Sequence, residues 1–198
     1  MKLVIASNNK HKVTEIKAIL GPYFDEILSL RDAGISIDVE EDGDTFAANA
    51  RKKAEEVLAV ASEANAVLSD DSGLAVDALN GAPGVYSARY AGDGHDDEAN
   101  NKKLLEDMAN VPDSERTCRF VSAIALARKG RETLITLGAV EGRLLRAPHG
   151  ESGFGYDPLF FYEPAGKSFA ELTAEEKNLV SHRKRGLEAM RELLEQEK

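Results

Sequence analysis

Residues 2–22 read KLVIASNNKHKVTEIKAILGP and give the first indication of the fold class. Residues 3–6 are apolar and partly β-branched, and a polar run begins at Ser7. Apolar residues then recur at the spacing of a helix until a Gly-Pro pair interrupts them, namely Val13, Ile16 and Leu20. This stretch therefore predicts a strand, a loop and a helix.

The same alternation continues through the front of the chain and changes later. Further strands are predicted at residues 26–30, 66–69, 117–128 and 132–140, the last two as a hairpin. Further helices are predicted from a cap at Asp44 or Thr45 to Ala61, over residues 96–108, and from Glu175 with Leu179, Leu187, Met190 and Leu194 on one apolar stripe. We expect an α/β fold with a mixed sheet.

Composition limits the classes of protein that this chain can represent. The 198 residues are 42% hydrophobic and 30% charged, which excludes a disordered chain. Since no long linker interrupts them, residues 1–198 are expected to form one folding unit. The formal net charge of −10 argues against binding to a nucleic-acid backbone but not against a small anionic ligand.

Targeting and metal-cage signals are weak in this sequence. Cys118 is the single cysteine, and the four histidines lack ligand spacing, so neither a disulfide nor a transition-metal cage is predicted. The apolar run at residues 3–6 is too short for a signal peptide or a membrane span. We expect a cytoplasmic protein that binds no membrane.

The loop after the first strand has the composition of a phosphate site. Its residues lie at a predicted helix N-terminus, where free amides and the helix dipole favour anions: Ser7, Asn8, Asn9, Lys10, His11 and Lys12. The Walker A pattern is absent. A polar turn capped by serine or asparagine is an equal alternative.

Two carboxylate runs form a candidate metal site. Asp70 and Asp71 follow a buried-type strand, and Mg²⁺ prefers such oxygen ligands together with substrate phosphates. Neighbouring strand side chains point to opposite faces, so only one of the two is expected to face the site. The alternative is an Asx turn with Gly73 at positive φ. The run at residues 40–43 would join the site only if it folded beside Asp71, and otherwise is a solvated turn.

Two later segments carry groups that suit a nucleobase. Glycines around aromatic residues at 152–158 would let the loop approach a flat ligand, and Asp157 could accept its N–H groups. Lys177 and Ser181 could share a helix face, with Arg183 as a planar donor. A turn with core aromatics and an exposed basic helix are the respective alternatives. Together the motifs supply the parts of a nucleoside triphosphate site.

Six motifs in their order resemble one known family, the inosine/xanthosine triphosphate pyrophosphatases, over residues 1 to about 190. They are Ser7-x-Asn9-x-x-Lys12, Glu40-x-x-Gly43-x-Thr45-Phe46-x-x-Asn49-Ala50, Ser69-Asp70-Asp71-Ser72-Gly73-Leu74, Gly81-x-Pro83-Gly84-x-x-Ser87-Ala88-Arg89, Gly153-Phe154-Gly155-Tyr156-Asp157-Pro158 and Ser181-His182-Arg183. The resemblance implies hydrolysis of deaminated purine nucleoside triphosphates (ITP, dITP, XTP) to the monophosphate and pyrophosphate. It also implies a long mixed sheet with flanking helices, two lobes around a central cleft, Mg²⁺ dependence and a homodimer.

The resemblance also assigns roles to individual residues. Asp71 is the expected acid/base residue and metal ligand, with Glu40 as second ligand, although the adjacent Glu41 leaves that choice open. Residues expected to bind substrate are Ser7, Asn8, Asn9, Lys10, His11 and Lys12 at the triphosphate, Ser72, and Phe154, Gly155, Tyr156, Asp157, Lys177, His182 and Arg183 at or beside the base. Two other functions stay open: a phosphatase with an aspartate nucleophile, and a nucleotide sensor without turnover.

Overall fold

The computed structural model describes residues 1–197, apart from the side chain of His11. Within this range the strands are β1 (Lys2–Ile5), β2 (Glu26–Ser29), β3 (Ala66–Val76), β4 (Thr117–Arg128), β5 (Leu134–Leu144), β6 (Phe160–Tyr162) and β7 (Lys167–Ser168). The helices are α1 (Lys10–Leu20), α2 (Phe46–Val60), α3 (Asp97–Asp107), α4 (Ala174–Val180) and α5 (His182–Gln196). Each of these helices is too short or too polar to cross a lipid bilayer.

The strands form one mixed sheet in the order β2-β1-β3-β4-β5-β6-β7. β1 pairs in parallel with β2 and β3, whereas β6 pairs antiparallel with β5 and β7. β4 and β5 are neighbours joined by a connection too short for a parallel crossover, so they form the predicted hairpin. The expected α/β fold with a mixed sheet is confirmed.

The chain divides into two compact units. Unit 1 contains Met1–Asp71, Ser122–Gly138 and the segment from Arg183 onward, and unit 2 contains Ser72–Val121 and Ala139–His182. β3, β4 and β5 therefore contribute residues to both units. The expected central cleft and the single folding unit stay predictions.

Unit 1 has helices on both faces of its part of the sheet. Val4 packs with Ala50, Ala54 and Val57 of α2. On the opposite face, Leu3 and Ile5 pack with apolar residues of α1 and α5, which are Ile16, Leu20, Leu187, Met190 and Leu194. Because successive strand side chains alternate between faces, the short apolar run of β1 supplies both cores.

Unit 2 has one apolar core that contains a buried arginine. Phe120, Phe160 and Phe169 pack against one another, with ring centroids 4.6 to 5.8 Å apart. Arg116 is 2% exposed. Its guanidinium donates to the carbonyls of Met108, Leu144 and Leu145 at 2.6, 2.9 and 2.9 Å. This side chain ties the end of α3 to the end of β5.

Arg116→Lys is expected to lower the free energy of unfolding by at least about 2 kcal/mol, since an ammonium cannot reach three divergent carbonyls and buried acceptors lose their partners. Urea unfolding compares the midpoint of Arg116→Lys with that of a separate control variant, Arg131→Lys, which changes an exposed arginine. Equal midpoints for the two variants would contradict the assignment.

β3 is longer than predicted and changes the interpretation of the two aspartates. Asp70 and Asp71 lie inside the strand, not at its end, and the alternative turn with Gly73 at positive φ is wrong. A Cβ on Gly73 would lie 2.3 Å from Oγ of Ser87, whose hydroxyl accepts a hydrogen bond from N of Leu74 at 2.9 Å. Close packing, not a turn, therefore requires glycine here.

The predicted last helix is two helices. Ser181 is extended, with φ −64° and ψ 148°, and separates α4 from α5. Leu179 consequently lies on α4 and is 67% exposed, so its predicted place on the apolar stripe is wrong, whereas Leu187 and Met190 are buried. Ser181 also lies beyond the end of α4, so it does not share a helix face with Lys177.

Candidate active site

Asp70 lies in a buried charge network of unit 1. Its Oδ2 is 2.9 Å from Nζ of Lys12 and 2.8 Å from Nε of Arg183, and its Oδ1 accepts from Oγ of Ser122 at 2.7 Å. Burial alone would raise the pKa of Asp70, but the two cations and the hydrogen bond outweigh it and hold the pKa well below its ordinary value. Nη1 of Arg183 also pairs with Glu15 at 2.9 Å.

Asp71 points toward α2, on the opposite face of β3. Its carboxylate accepts a hydrogen bond from the side chain of Asn49 in α2. Burial and the negative charge of Glu41 raise the pKa of Asp71 to about 6, against the effect of Asn49. Its Oδ2 is buried and has no hydrogen-bond partner among the described residues. The prediction that the two aspartates face opposite ways is confirmed.

The acidic loop before α2 brings Glu41 rather than Glu40 toward this carboxylate. Val39 is part of the apolar core, and the next residue, Glu40, is exposed. Glu41 accepts from Nζ of Lys53 at 2.6 Å and acts electrostatically on Asp71. The run at residues 40–43 is therefore more than a solvated turn.

Asn49 connects the acidic loop with Asp71. It is 1% exposed, and its Oδ1 accepts from N of Gly43 at 2.7 Å. A Cβ on Gly43 would lie 2.7 Å from the same oxygen, which explains the glycine. The sequence analysis assigned Asn49 no role, although its presence in one of the six motifs could have indicated one.

The donor set around Asp71 fits a hard divalent cation. No group of three His, Cys, Asp or Glu side chains with metal-binding geometry occurs in residues 1–197 with the side chain of His11 left aside. Mg²⁺ does not need one, because it is commonly held by one or two carboxylates together with waters and substrate phosphates. The unsatisfied Oδ2 of Asp71 and the negative charge of Glu41 meet that requirement.

The loop at the start of α1 is shaped by its own side chains. Oγ of Ser7 accepts from N of Asn9 at 3.1 Å, and Oδ1 of Asn9 accepts from N of Lys12 at 3.2 Å. Oδ1 of Asn8 accepts from N of Arg31 at 2.9 Å. The capped polar turn is thus present, while Lys10 is exposed and the side chain of Lys12 is held by Asp70. The side chain of His11 lies outside the described residues.

In unit 2, three of the residues predicted at the base come together. Asp157 is 2% exposed, accepts from N of Phe154 at 3.0 Å and pairs with Nζ of Lys177. That ammonium lies 4.5 Å from the centroid of the Phe154 ring, which is 58% exposed. Burial raises the pKa of Asp157, and the charge of Lys177 opposes the rise. The exposed ring of Phe154 can stack on a flat base, and the ammonium of Lys177 beside it can donate a hydrogen bond to the edge of that base.

The other predicted base contacts lie in different surroundings. Tyr156 is buried in the core, where its hydroxyl donates to O of Ser87 at 2.8 Å. The ring of His182 stacks on Phe120 at 5.1 Å. Ser72 is half-buried in β3, and Arg183 is engaged by the two carboxylates of unit 1. Base binding by these residues stays a prediction.

Comparison with known proteins places this architecture in a family. A sequence model of the Ham1 family matches residues 3–193. The chain belongs to the Ham1 family. It is 51% identical to a dITP/XTP pyrophosphatase of Clostridium perfringens over 98% of this chain and 97% of that one. A Bacillus subtilis dITP/XTP pyrophosphatase is 47% identical over 97% and 96% of the two chains.

The Ham1 assignment extends to three dimensions. The solved structure of the Staphylococcus aureus Ham1 protein superposes with a TM-score of 0.90 at 40% identity and covers 100% of both chains. The resemblance inferred from the six motifs is therefore confirmed at the level of family and fold. The roles that the resemblance implies for individual site residues stay predictions.

Proposed function

We propose that this Ham1-family chain hydrolyses the deaminated purine nucleoside triphosphates ITP, dITP and XTP to the monophosphate and pyrophosphate. Such a reaction would remove these nucleotides before polymerases incorporate them. The names of the relatives that match almost the whole chain support the proposal. The structural observation that carries it is the buried, unsatisfied carboxylate oxygen of Asp71 beside the negative charge of Glu41.

Asp71 has the properties of a group that orients or deprotonates water. Asn49 holds the carboxylate, and Oδ2 keeps an acceptor position that no described residue fills. A water molecule bound at this oxygen could attack the α-phosphorus and release pyrophosphate. The helix dipole of α1 and the charges of Lys10 and Lys12 would stabilise the departing negative charge. Asp70 holds Lys12 in place for this role.

We propose Mg²⁺ as the cofactor, held by Asp71 and one of the two adjacent glutamates. The resemblance implies Glu40, but Glu40 is exposed and Glu41 acts electrostatically on Asp71, so we propose Glu41 as the second ligand. When bound, the ion would supply positive charge to the phosphate oxygens. Without the ion, the negative charges of Glu41 and Asp70 raise the pKa of Asp71 and oppose its ionisation.

Selection of deaminated bases follows from the donors of unit 2. Hypoxanthine and xanthine carry an oxygen at the six position, where adenine carries an amino group. The ammonium of Lys177 beside the Phe154 ring would satisfy that oxygen and oppose an amino group. Where binding of the base excludes water from this contact, such a mismatch can discriminate by about 10⁴-fold or more.

Separate incubations with ITP, ATP and GTP, with Mg²⁺ or with a chelator, test the proposal. We expect pyrophosphate from ITP and none from ATP, and only when Mg²⁺ is present. Guanine also carries the six-oxygen, so the GTP incubation tests whether its two-amino group is rejected. Orthophosphate as the product would favour the phosphatase, and tight ITP binding without any product would favour the sensor. Either result would contradict the proposed activity.

We also propose a cytoplasmic location and a homodimer, both of which the family resemblance implies. Sedimentation velocity is expected to give a species of twice the 21.5 kDa chain mass. A species of the chain mass at micromolar concentration would contradict the dimer.

A further inference from the structure

We propose that Asp97 and Asn101 of α3 are positioning residues that hold the loop of Phe154 in the conformation that receives the base. This inference rests on the proposed function. It concerns residues of unit 2 only, and neither side chain belongs to a motif that the sequence analysis singled out.

The two side chains hold both polar backbone atoms of one residue. Oδ2 of Asp97 accepts from N of Gly155 at 2.7 Å, and Nδ2 of Asn101 donates to O of Gly155 at 2.8 Å. Asp97 and Asn101 are four residues apart, so they lie on one face of α3 one turn apart. Hydrogen bonds to both the N–H and the carbonyl of Gly155 fix the position and the orientation of its backbone.

Gly155 directly follows Phe154, so the two hydrogen bonds fix the backbone on one side of Phe154. Gly155 has a φ of +59°, in the left-handed region that other residues rarely adopt. A Cβ on Gly155 would meet no atom within 4 Å, so the glycine is needed for its conformation rather than for space. The backbone of the adjacent Phe154 is bonded on its other side, through N to Asp157 at 3.0 Å.

Packing does not replace these hydrogen bonds. A cavity of about 830 Å³ is lined by residues of α3 and by part of the segment 148–158, so the loop is not backed by tightly packed side chains on that side. The ring of Phe154 is 58% exposed. Oδ1 of Asn101 is buried without a hydrogen-bond partner among the described residues, which is unfavourable, whereas Nδ2 orients the amide through its bond to O of Gly155.

The first arm of the test measures the loop without any substrate. The chain contains no tryptophan, so Phe154→Trp creates a single reporter in the loop. In that background Asp97→Ala and Asn101→Ala are expected to increase acrylamide quenching of the reporter and to lower its anisotropy. Asp97→Asn, which keeps an oxygen acceptor, is expected to do so less. Glu98→Gln removes a neighbouring charge of the same helix turn and serves as the control.

The second arm measures kinetics with ITP and ATP in the chain that retains Phe154. Asp97→Ala and Asn101→Ala are expected to raise KM for ITP about five- to tenfold, with kcat within about twofold of the wild type, because each loses one hydrogen bond that acts in binding. The preference of the alanine variants for ITP over ATP is expected to fall as KM for ITP rises. Asp97→Asn is expected to show a smaller rise in KM.

The outcomes separate this inference from the proposed function. An unchanged reporter and an unchanged KM in both alanine variants would overturn the inference. Equal losses of kcat on ITP and ATP at unchanged KM would also overturn it, since they indicate a purely structural role. If the wild-type protein releases no pyrophosphate, the proposed function fails. An unchanged reporter in the alanine variants would then overturn the positioning as well. Increased quenching and lower anisotropy of the reporter would still support the positioning of Phe154.

Discussion

Asp71→Asn is expected to lower kcat for ITP by about 10²- to 10⁴-fold, the contribution typical of a positioned acid/base group. The amide preserves the shape of the side chain but cannot accept a proton from water, and it is a poorer ligand for Mg²⁺. The comparison is a full kinetic analysis of wild type and variant at saturating Mg²⁺. Asp42→Asn, which neutralises an exposed carboxylate of the neighbouring loop, is the matched control and is expected to keep near wild-type kcat.

The fold of the Asp71→Asn variant is expected to stay intact. The raised pKa of Asp71, about 6, means that the folded protein disfavours its ionised form. At pH 8 the ionised carboxylate therefore lowers stability, and a neutral amide is expected to give an equal or higher Tm. Wild-type kcat in a folded Asp71→Asn protein would contradict the assigned role.

Asp70→Ala is expected to lower the free energy of unfolding by about 3–5 kcal/mol, because it removes one of the two carboxylates that pair with the buried guanidinium of Arg183. The side chains of Asp70 and Arg183 are 2% and 8% exposed, so water cannot replace the lost partner. Lys12 would lose the same partner. Urea unfolding at pH 7 measures the change.

The exposed pair of Asp42 and Lys52 provides a control of the same chemistry. Asp42→Ala is expected to change the free energy of unfolding far less than Asp70→Ala does, since solvent screens that pair. The pKa of Asp70 is lowered in the folded state, so its stabilisation is present above the ordinary value of 3.8 and is lost as pH falls through the folded pKa. The difference between wild type and Asp70→Ala should therefore persist at pH 7 and shrink below about pH 4. Equal costs for the two alanine variants would contradict the charge network.

Much of the architecture could be predicted because local periodicity determines it. The strand, loop and helix at residues 2–20 follow from apolar spacing alone, and α2 begins at the expected cap, where Oγ1 of Thr45 accepts from N of Ala48. The opposite directions of Asp70 and Asp71 followed from strand geometry once both were placed in β3. The position of β3 in the sheet, beside β1 and β4, did not follow from any local pattern.

The remaining features depend on contacts between residues distant in sequence. β3 continues through Gly73 because Ser87 packs against it, and periodicity cannot register such a partner. The same holds for Asn49, which bridges Gly43 and Asp71, and for the pairing of Arg183 with Asp70 and Glu15. Motif resemblance located several of these positions, whereas only coordinates show what each side chain contacts.

The central claim is that water attacks the α-phosphorus of a deaminated purine nucleoside triphosphate. Hydrolysis of ITP in isotopically labelled water, followed by mass analysis of the products, tests it most directly. We predict IMP and pyrophosphate, with the labelled oxygen in the phosphate of IMP. Formation of IDP and orthophosphate, or label in pyrophosphate, would contradict the claim.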